Sequence, residues 1–123
     1  MAHKYRAKPT VVDGIRFASM KEAKRYRELK LLEQAGAIDS LELQPAFLLH
    51  APLTTGTMRG ALKAAAGELP VIGKYVGDFR YFDLTGRESP PWIVEDVKGF
   101  RTPLYRWKKK HVEAQYGIQI REV

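Results

Sequence analysis

The chain has no cysteine. Disulfides, thiolate–zinc sites and cysteine nucleophiles are therefore excluded. No apolar run approaches the ~20 residues that a membrane-spanning helix requires. The opening Met1-Ala2-His3-Lys4-Tyr5-Arg6 lacks the apolar region of a secretion signal. The expectation is a cytoplasmic protein with no membrane partner. Acids are the scarcer sign of charge, 14 against 21 Lys and Arg, for a net charge of +7. Such a surplus in a small domain suggests a polyanionic partner, and nucleic acid is the commonest. What the chain does have is apolar content: 45% hydrophobic over 123 residues suits a single globular domain, 1–123, with its own core.

The charge is unevenly spread. Residues 1–36 hold nine Lys/Arg against four acids, 98–123 hold seven against two, and the centre is net −3. Two basic segments thus flank a more acidic middle, as expected of an acidic cleft between two phosphate-gripping arms. Residues 1–9 read as a basic flexible arm carrying Lys4, Arg6 and Lys8, with Pro9 discouraging helix. Thr10 to Phe17 reads as a hairpin turned by Asp13-Gly14, which supplies the positive φ angles of a two-residue turn. Ser19 to Ala35 predicts a helix. Ser19 is the N-cap, Glu22 three residues on completes a capping box, and Gly36 is the stop. Tyr26, Leu29 and Leu32 lie along its apolar face; Lys21 and Arg25 are candidate phosphate contacts. Leu41 to His50 reads as a strand in which Pro45 argues for an edge or a bulge. Gln44 within it is either a solvent-facing amide or a hydrogen-bond donor or metal-water ligand near the cleft. Residues 51–72 read as an inserted loop. Gly73 to Asp83 reads as a second long strand with Asp78 inside it, where aspartate is poorly suited. A salt bridge to Arg80, a bulge or a functional role would each account for it.

Trp92-Ile93-Val94-Glu95-Asp96-Val97-Lys98-Gly99 reads as a third strand, opened by Pro90-Pro91. Alternate residues of a strand share a face. Trp92, Val94, Asp96 and Lys98 therefore share one, and Ile93, Glu95 and Val97 the other. An acid and a lysine two apart at the end of an apolar run are either a surface ion pair or part of a site. Glu95 points away from that pair and is expected to be structural. Thr102 to Tyr116 predicts the second helix, with Thr102 as N-cap, Pro103 at the first position and Gly117 at the end. It carries Arg106 and Lys108-Lys109-Lys110, follows Arg101, and precedes a last short strand in Ile118–Val123.

This order, with Glu22, Asp78, Asp96 and Lys98 at distinct landmarks, resembles the PD-(D/E)xK nuclease superfamily. Asp78 matches its first aspartate, Asp96-Val97-Lys98 matches (D/E)xK, and Glu22 matches the helical glutamate of many members. Two departures stand out: Gly77 replaces the proline before the aspartate, and aspartate fills the second motif. The stretches VDGIRFASMKEAKRYRELKLLE, LELQPAF, YVGDFRY and VEDVKGFRTPLYRWKKK look more closely like small phage-encoded proteins related to phage endonuclease I and other Holliday-junction resolvases. The resemblance implies an α/β (mixed α+β) fold with a restriction-endonuclease-like core. That core is a mixed sheet of about four strands in the order helix-strand-strand-strand-helix-strand, here behind an N-terminal hairpin. It implies a phage or prophage protein acting in a bacterial host cell.

The resemblance further implies metal-dependent phosphodiester cleavage, with branched DNA as substrate. Phosphodiester attack needs charge neutralised on phosphate and a nucleophilic water, and hard divalent ions with carboxylate ligands supply both. Asp78, Asp96, Glu22 and the Val97 carbonyl are the expected ligands of Mg²⁺, with Mn²⁺ as a substitute. Lys98 would orient water or stabilise the phosphate. Lys4, Arg6, Lys8, Lys21, Arg25, Gln44, Arg101, Arg106 and Lys108 to Lys110 are the DNA-binding set. A homodimer follows if junctions are cut on opposed strands. The competing expectations are a non-catalytic nucleic-acid-binding protein and a nicking or restriction-like nuclease without junction preference.

Overall fold

The computed structural model describes residues 8–51, 69–97 and 101–123. A short antiparallel hairpin, β1 (Thr10–Val12) and β2 (Ile15–Phe17), opens the fold. Its turn residues Asp13 and Gly14 take φ of 53° and 75°, as the sequence requires. Helix α1 (Met20–Gln34) begins at Ser19, whose hydroxyl accepts from the Glu22 N–H at 3.1 Å. It buries Ala23, Tyr26 and Leu29; Leu32, expected beside them, stands 38% exposed. Helix α2 (Pro103–Tyr116) starts at Thr102 and ends at Gly117 in the left-handed conformation, as the sequence predicts.

Between the helices lies a mixed four-stranded sheet. Its strands are β3 (Ile38–Leu43), β6 (Phe79–Asp83), β7 (Trp92–Asp96) and β8 (Ile120–Glu122), in that spatial order. The first two pairings are antiparallel and β7–β8 is parallel. A second sheet pairs β4 (Ala46–His50) with β5 (Val71–Val76). The protein is thus a mixed α+β domain with the helix-strand-strand-strand-helix-strand order and the hairpin expected.

Two strands that read as continuous are broken. The 41–50 strand divides at Gln44-Pro45, and the 73–83 strand at Gly77-Asp78. The breaks are hydrogen-bonded to each other: Gln44 N donates to the Asp78 carbonyl at 2.9 Å, and Gly77 N to the Pro45 carbonyl at 3.0 Å. Gln44 adopts a left-handed φ of 51°. The bend makes both strands swap faces. Leu41, Leu43, Phe79 and Tyr81 pack with α1. Phe47, Leu49 and Tyr75, which have the same parity, pack with Val94, Val112 and Ile120 on the opposite side.

Strand β5 begins at Val71, so the expected inserted loop ends two residues early. Its positions 52–68 lie outside the described residues, as do positions 1–7 of the expected arm. Among the described residues no helix is long and apolar enough to cross a membrane.

Candidate active site

Strand β7 delivers two carboxylates, one to each face of the sheet. Glu95 is fully buried. The Arg25 guanidinium reaches it with both prongs, Nε to Oε1 at 2.7 Å and Nη2 to Oε2 at 2.6 Å. The Tyr81 hydroxyl donates to the same carboxylate. Charge and hydrogen-bonding capacity are both met, which a buried acid requires. This corrects one expectation. Arg25 turns its guanidinium into the protein and holds Glu95 and Glu28. It is a structural cation in this fold, not a group presented to phosphate. Glu95 has the structural place its strand parity implies.

Asp96, on the other face, is 3% exposed. The Tyr75 hydroxyl donates to its Oδ2 at 2.5 Å. Its backbone carbonyl accepts from Val123 N at 3.0 Å, fastening the end of β7 to the C-terminal residue. Burial, then the bond to Asp96, pushes the Tyr75 hydroxyl far above the ordinary phenol range, so it stays a donor.

Asp78 sits at the bend rather than inside a strand. Its backbone is pinned on both sides, N–H to the Glu95 carbonyl at 3.0 Å and carbonyl to Gln44 N. Its Oδ2 accepts from Val97 N at 2.6 Å. Arg80, a possible partner in the sequence, pairs with Glu42 instead. Burial pushes the Asp78 carboxyl up to about 7, the negative charges of Asp96 and Glu22 add to the rise, and the Val97 N–H pulls it partly back. Glu22, in the first turn of α1, is also raised, by burial first and by Asp96 second. The structure thus brings Glu22, Asp78 and Asp96 into one electrostatic neighbourhood from three elements. Among the described residues no group of three His, Asp or Glu side chains stands close enough to hold a metal ion as placed. Lys98 lies outside the described residues.

Two tyrosines join the cluster that sequence reasoning missed. On a continuous strand Tyr75 would share the face of Phe79 and Tyr81, so the bend hides its approach to Asp96. Tyr105, on the first turn of α2, feels the charge of Asp96 and donates to Glu122 at 2.8 Å. Arg101 also binds Glu122, at 2.9 Å, so the start of α2 is tied to β8 beside the acids.

The remaining candidate phosphate contacts are divided. Lys8, Lys21, Arg106 and Lys110 are exposed, Lys108 is half-buried, and Lys109 pairs with Glu113 at 3.0 Å. Gln44 is exposed at the bend, and its backbone N–H donates to the Asp78 carbonyl. Lys4 and Arg6 lie outside the described residues.

A mixed α+β domain with clustered carboxylates at a bent strand is the class that fold and site define. The chain belongs to the DUF1064 family, described as proteins of unknown function, whose model matches residues 2–122. No curated protein and no solved structure matches it.

Proposed function

We propose that this protein is a divalent-metal-dependent DNA endonuclease that hydrolyses phosphodiester bonds, with branched, junction-like DNA as substrate. The observation that carries the reading is the convergence of Glu22, Asp78 and Asp96, with Asp78 raised to about 7 by burial and by the charges of the other two. Like charges gathered at a strand bend, Asp96 buried and Glu22 and Asp78 partly so, weaken the fold, and such arrangements occur where function needs them.

The donors fit a hard cation, being carboxylate oxygens without sulfur or imidazole. Asp78, Asp96 and Glu22 would hold Mg²⁺ or Mn²⁺, with the Val97 carbonyl as a further ligand. The described side chains would have to draw together to form that cage. When bound, such an ion supplies Lewis acidity and an acidified water. The protein's own residues do the rest. Tyr75 orients the Asp96 carboxylate, and the Val97 N–H orients that of Asp78. The bonds of the bend fix where Asp78 stands against β7. Lys98 is the proposed group that steadies the attacking water or the phosphate. Net charge +7 supports a polyanionic substrate. Cutting a junction on two opposed strands would need two copies of the chain.

The test is incubation with labelled four-way-junction and linear duplex DNA, with Mg²⁺ or EDTA. Metal-dependent cleavage, faster on the junction, is the expected result. Metal-dependent cleavage without that preference leaves a general or nicking nuclease. Binding without cleavage in Mg²⁺ or Mn²⁺ leaves a non-catalytic nucleic-acid binder.

A further inference from the structure

Helix α2 buries only Val112. Its outer face carries Leu104 at 61% and Trp107 at 48% exposure, one turn apart, beside exposed Arg106 and Lys110. No ion pair holds Arg106, Lys108 or Lys110 among the described residues. Large apolar side chains are costly to leave in water, and indole on a basic helix is an unusual solvated face.

The indole is also held in place. Its ring packs on His111, with centroids 5.2 Å apart and planes tilted by 45°. His111 is anchored in turn: its Nε2 lies 2.9 Å from the carbonyl oxygen of His50, which only accepts, so the nitrogen donates. Gln115 and Tyr116 fix the same helix to β4 through the Leu48 carbonyl, at 3.0 and 2.7 Å. A ring buttressed on one side and open on the other loses little freedom when a flat partner stacks on it. Two residues earlier, Tyr105 lies within the electrostatic reach of Asp96. The start of α2, tied through Arg101 and Tyr105 to Glu122 on β8, thus stands beside the strand that carries Asp96.

We propose that Trp107, flanked by Leu104, is a stacking platform for an unpaired nucleic-acid base, with Arg106, Lys108 and Lys110 holding the phosphates on either side. The indole held against His111, with Arg106, Lys108 and Lys110 around it and no acid among the described residues pairing them, favours a stacked base followed by phosphates. The inference deepens the nuclease reading and rests on it for where the strand leads. It specifies DNA with exposed bases, a junction centre or a single-stranded flank, in preference to continuous duplex.

The test measures binding of fluorescently labelled single-stranded, four-way-junction and fully paired DNA in EDTA, which separates binding from cleavage. Trp107→Ala should lose about tenfold in affinity for the first two and less than about twofold for duplex, the loss expected from one stacked base. Trp107→Phe should recover most of it, and circular dichroism should show both variants folded. Equal loss on all three substrates, or no loss on any, overturns the proposal. So does a protein whose self-association, read by sedimentation, falls in Trp107→Ala while DNA binding holds; that outcome makes the face a contact between copies. The two readings fail separately. Selective loss in Trp107→Ala with no Mg²⁺- or Mn²⁺-dependent cleavage by the unmutated protein would keep the platform and remove the nuclease. Junction cleavage unaffected by Trp107→Ala would do the reverse.

Discussion

Glu95 and Asp96 are neighbours on one strand and almost equally buried, at 0% and 3% exposure. They differ in what faces them. Glu95 meets a bidentate arginine and a tyrosine hydroxyl, so its charge is neutralised within the fold. Asp96 meets a tyrosine and two further carboxylates, and both of those titrate higher for its presence. Burial alone therefore does not mark a functional acid. A buried acid with its own cation belongs to the scaffold, whereas acids gathered against one another weaken the scaffold and need an external reason. The sharpest way to break the contrast is to remove charge from each side in turn. Asp78→Asn and Asp96→Asn should each lower metal-dependent cleavage by roughly a thousandfold or more, as expected for loss of a metal-holding carboxylate. Both should bind DNA as before. Single-turnover cleavage of labelled junction DNA reads the first point and electrophoretic mobility the second; unmutated rates in either variant would end the nuclease assignment.

Across the sheet the same substitution should act on the fold. Glu95→Gln leaves the Arg25 guanidinium, 23% exposed, with the exposed Glu28 carboxylate as its remaining charged partner. Breaking a buried pair costs about 3–5 kcal/mol, and the partial exposure of Arg25 places the effect near the lower end, about 3 kcal/mol. Urea unfolding should show the loss as a lower midpoint at unchanged slope. The double variant Arg25→Met, Glu95→Leu should recover part of it, since both charges are then gone, while the buried Tyr81 hydroxyl loses the acceptor that Glu95 gave it. An unstable double variant would mean that the pair does more than cancel itself.

Much of this architecture was legible because local rules governed it. Ser19, Thr102, Gly36 and Gly117 bound both helices through cap chemistry that tertiary packing left unchanged, and Asp13-Gly14 turned the hairpin. The opposed faces of Glu95 and Asp96 followed from strand parity. What stayed hidden depends on partners distant in sequence. Parity counts through a strand only while the strand is continuous, and the paired breaks at 44–45 and 77–78 reset it. That is why unbroken parity would set Tyr75 on the side of Phe79 and Tyr81, away from Asp96, and Asp78 in a strand interior. Arg25 looks like any solvent-facing helical cation until β7 supplies Glu95, 70 residues away. Gly77, read only as a departure from a motif proline, has a cause in the bend: its N–H donates to the Pro45 carbonyl at 3.0 Å, a bond proline lacks the hydrogen to make.

The acidic cluster also has a signature in pH. An aspartate at about 7 in the folded protein and near 3.8 in the unfolded one binds more protons when folded. Stability from this group is complete below about pH 4 and falls as pH rises through about 7. The full shift of about three units would correspond to about 4 kcal/mol, and solvent access to Asp78 reduces this to about 1–2 kcal/mol. In EDTA, Asp78→Asn should therefore be more stable than the unmutated protein at pH 8, by about that amount, and nearly equal to it at pH 4. Added Mg²⁺ should narrow the gap at pH 8, because it neutralises the acids only where they are present. Urea midpoints at the two pH values read both effects. A variant less stable than the parent at pH 8 would show that Asp78 is satisfied as a charged group, as Glu95 is.

The smallest effect tests whether the bend sets the geometry of the cluster. A Cβ at Gly77 would lie 3.1 Å from Val94 Cγ1, and 3.5 Å from both the Glu95 carbonyl oxygen and Pro45 Cγ. Val94, on β7 and part of the second core, is itself 2% exposed, so it can yield only by a few tenths of an ångström. Crowding of this kind costs about 1–3 kcal/mol, while alanine recovers about 0.4–1 kcal/mol by restricting the unfolded chain. Gly77→Ala should then destabilise by about 1 kcal/mol net, within bounds of about 0 and 2.6 kcal/mol. The displaced backbone is also the backbone that aims Asp78 at the Val97 N–H and at Asp96. Cleavage should thus fall more than stability alone explains, by several-fold in the single-turnover rate, with DNA affinity unchanged. Val94→Ala in the same chain makes room for the new methyl group and should restore part of that rate, although it further lowers stability by emptying a buried site. A rate that follows stability in both variants would mean that the bend carries Asp78 without positioning it.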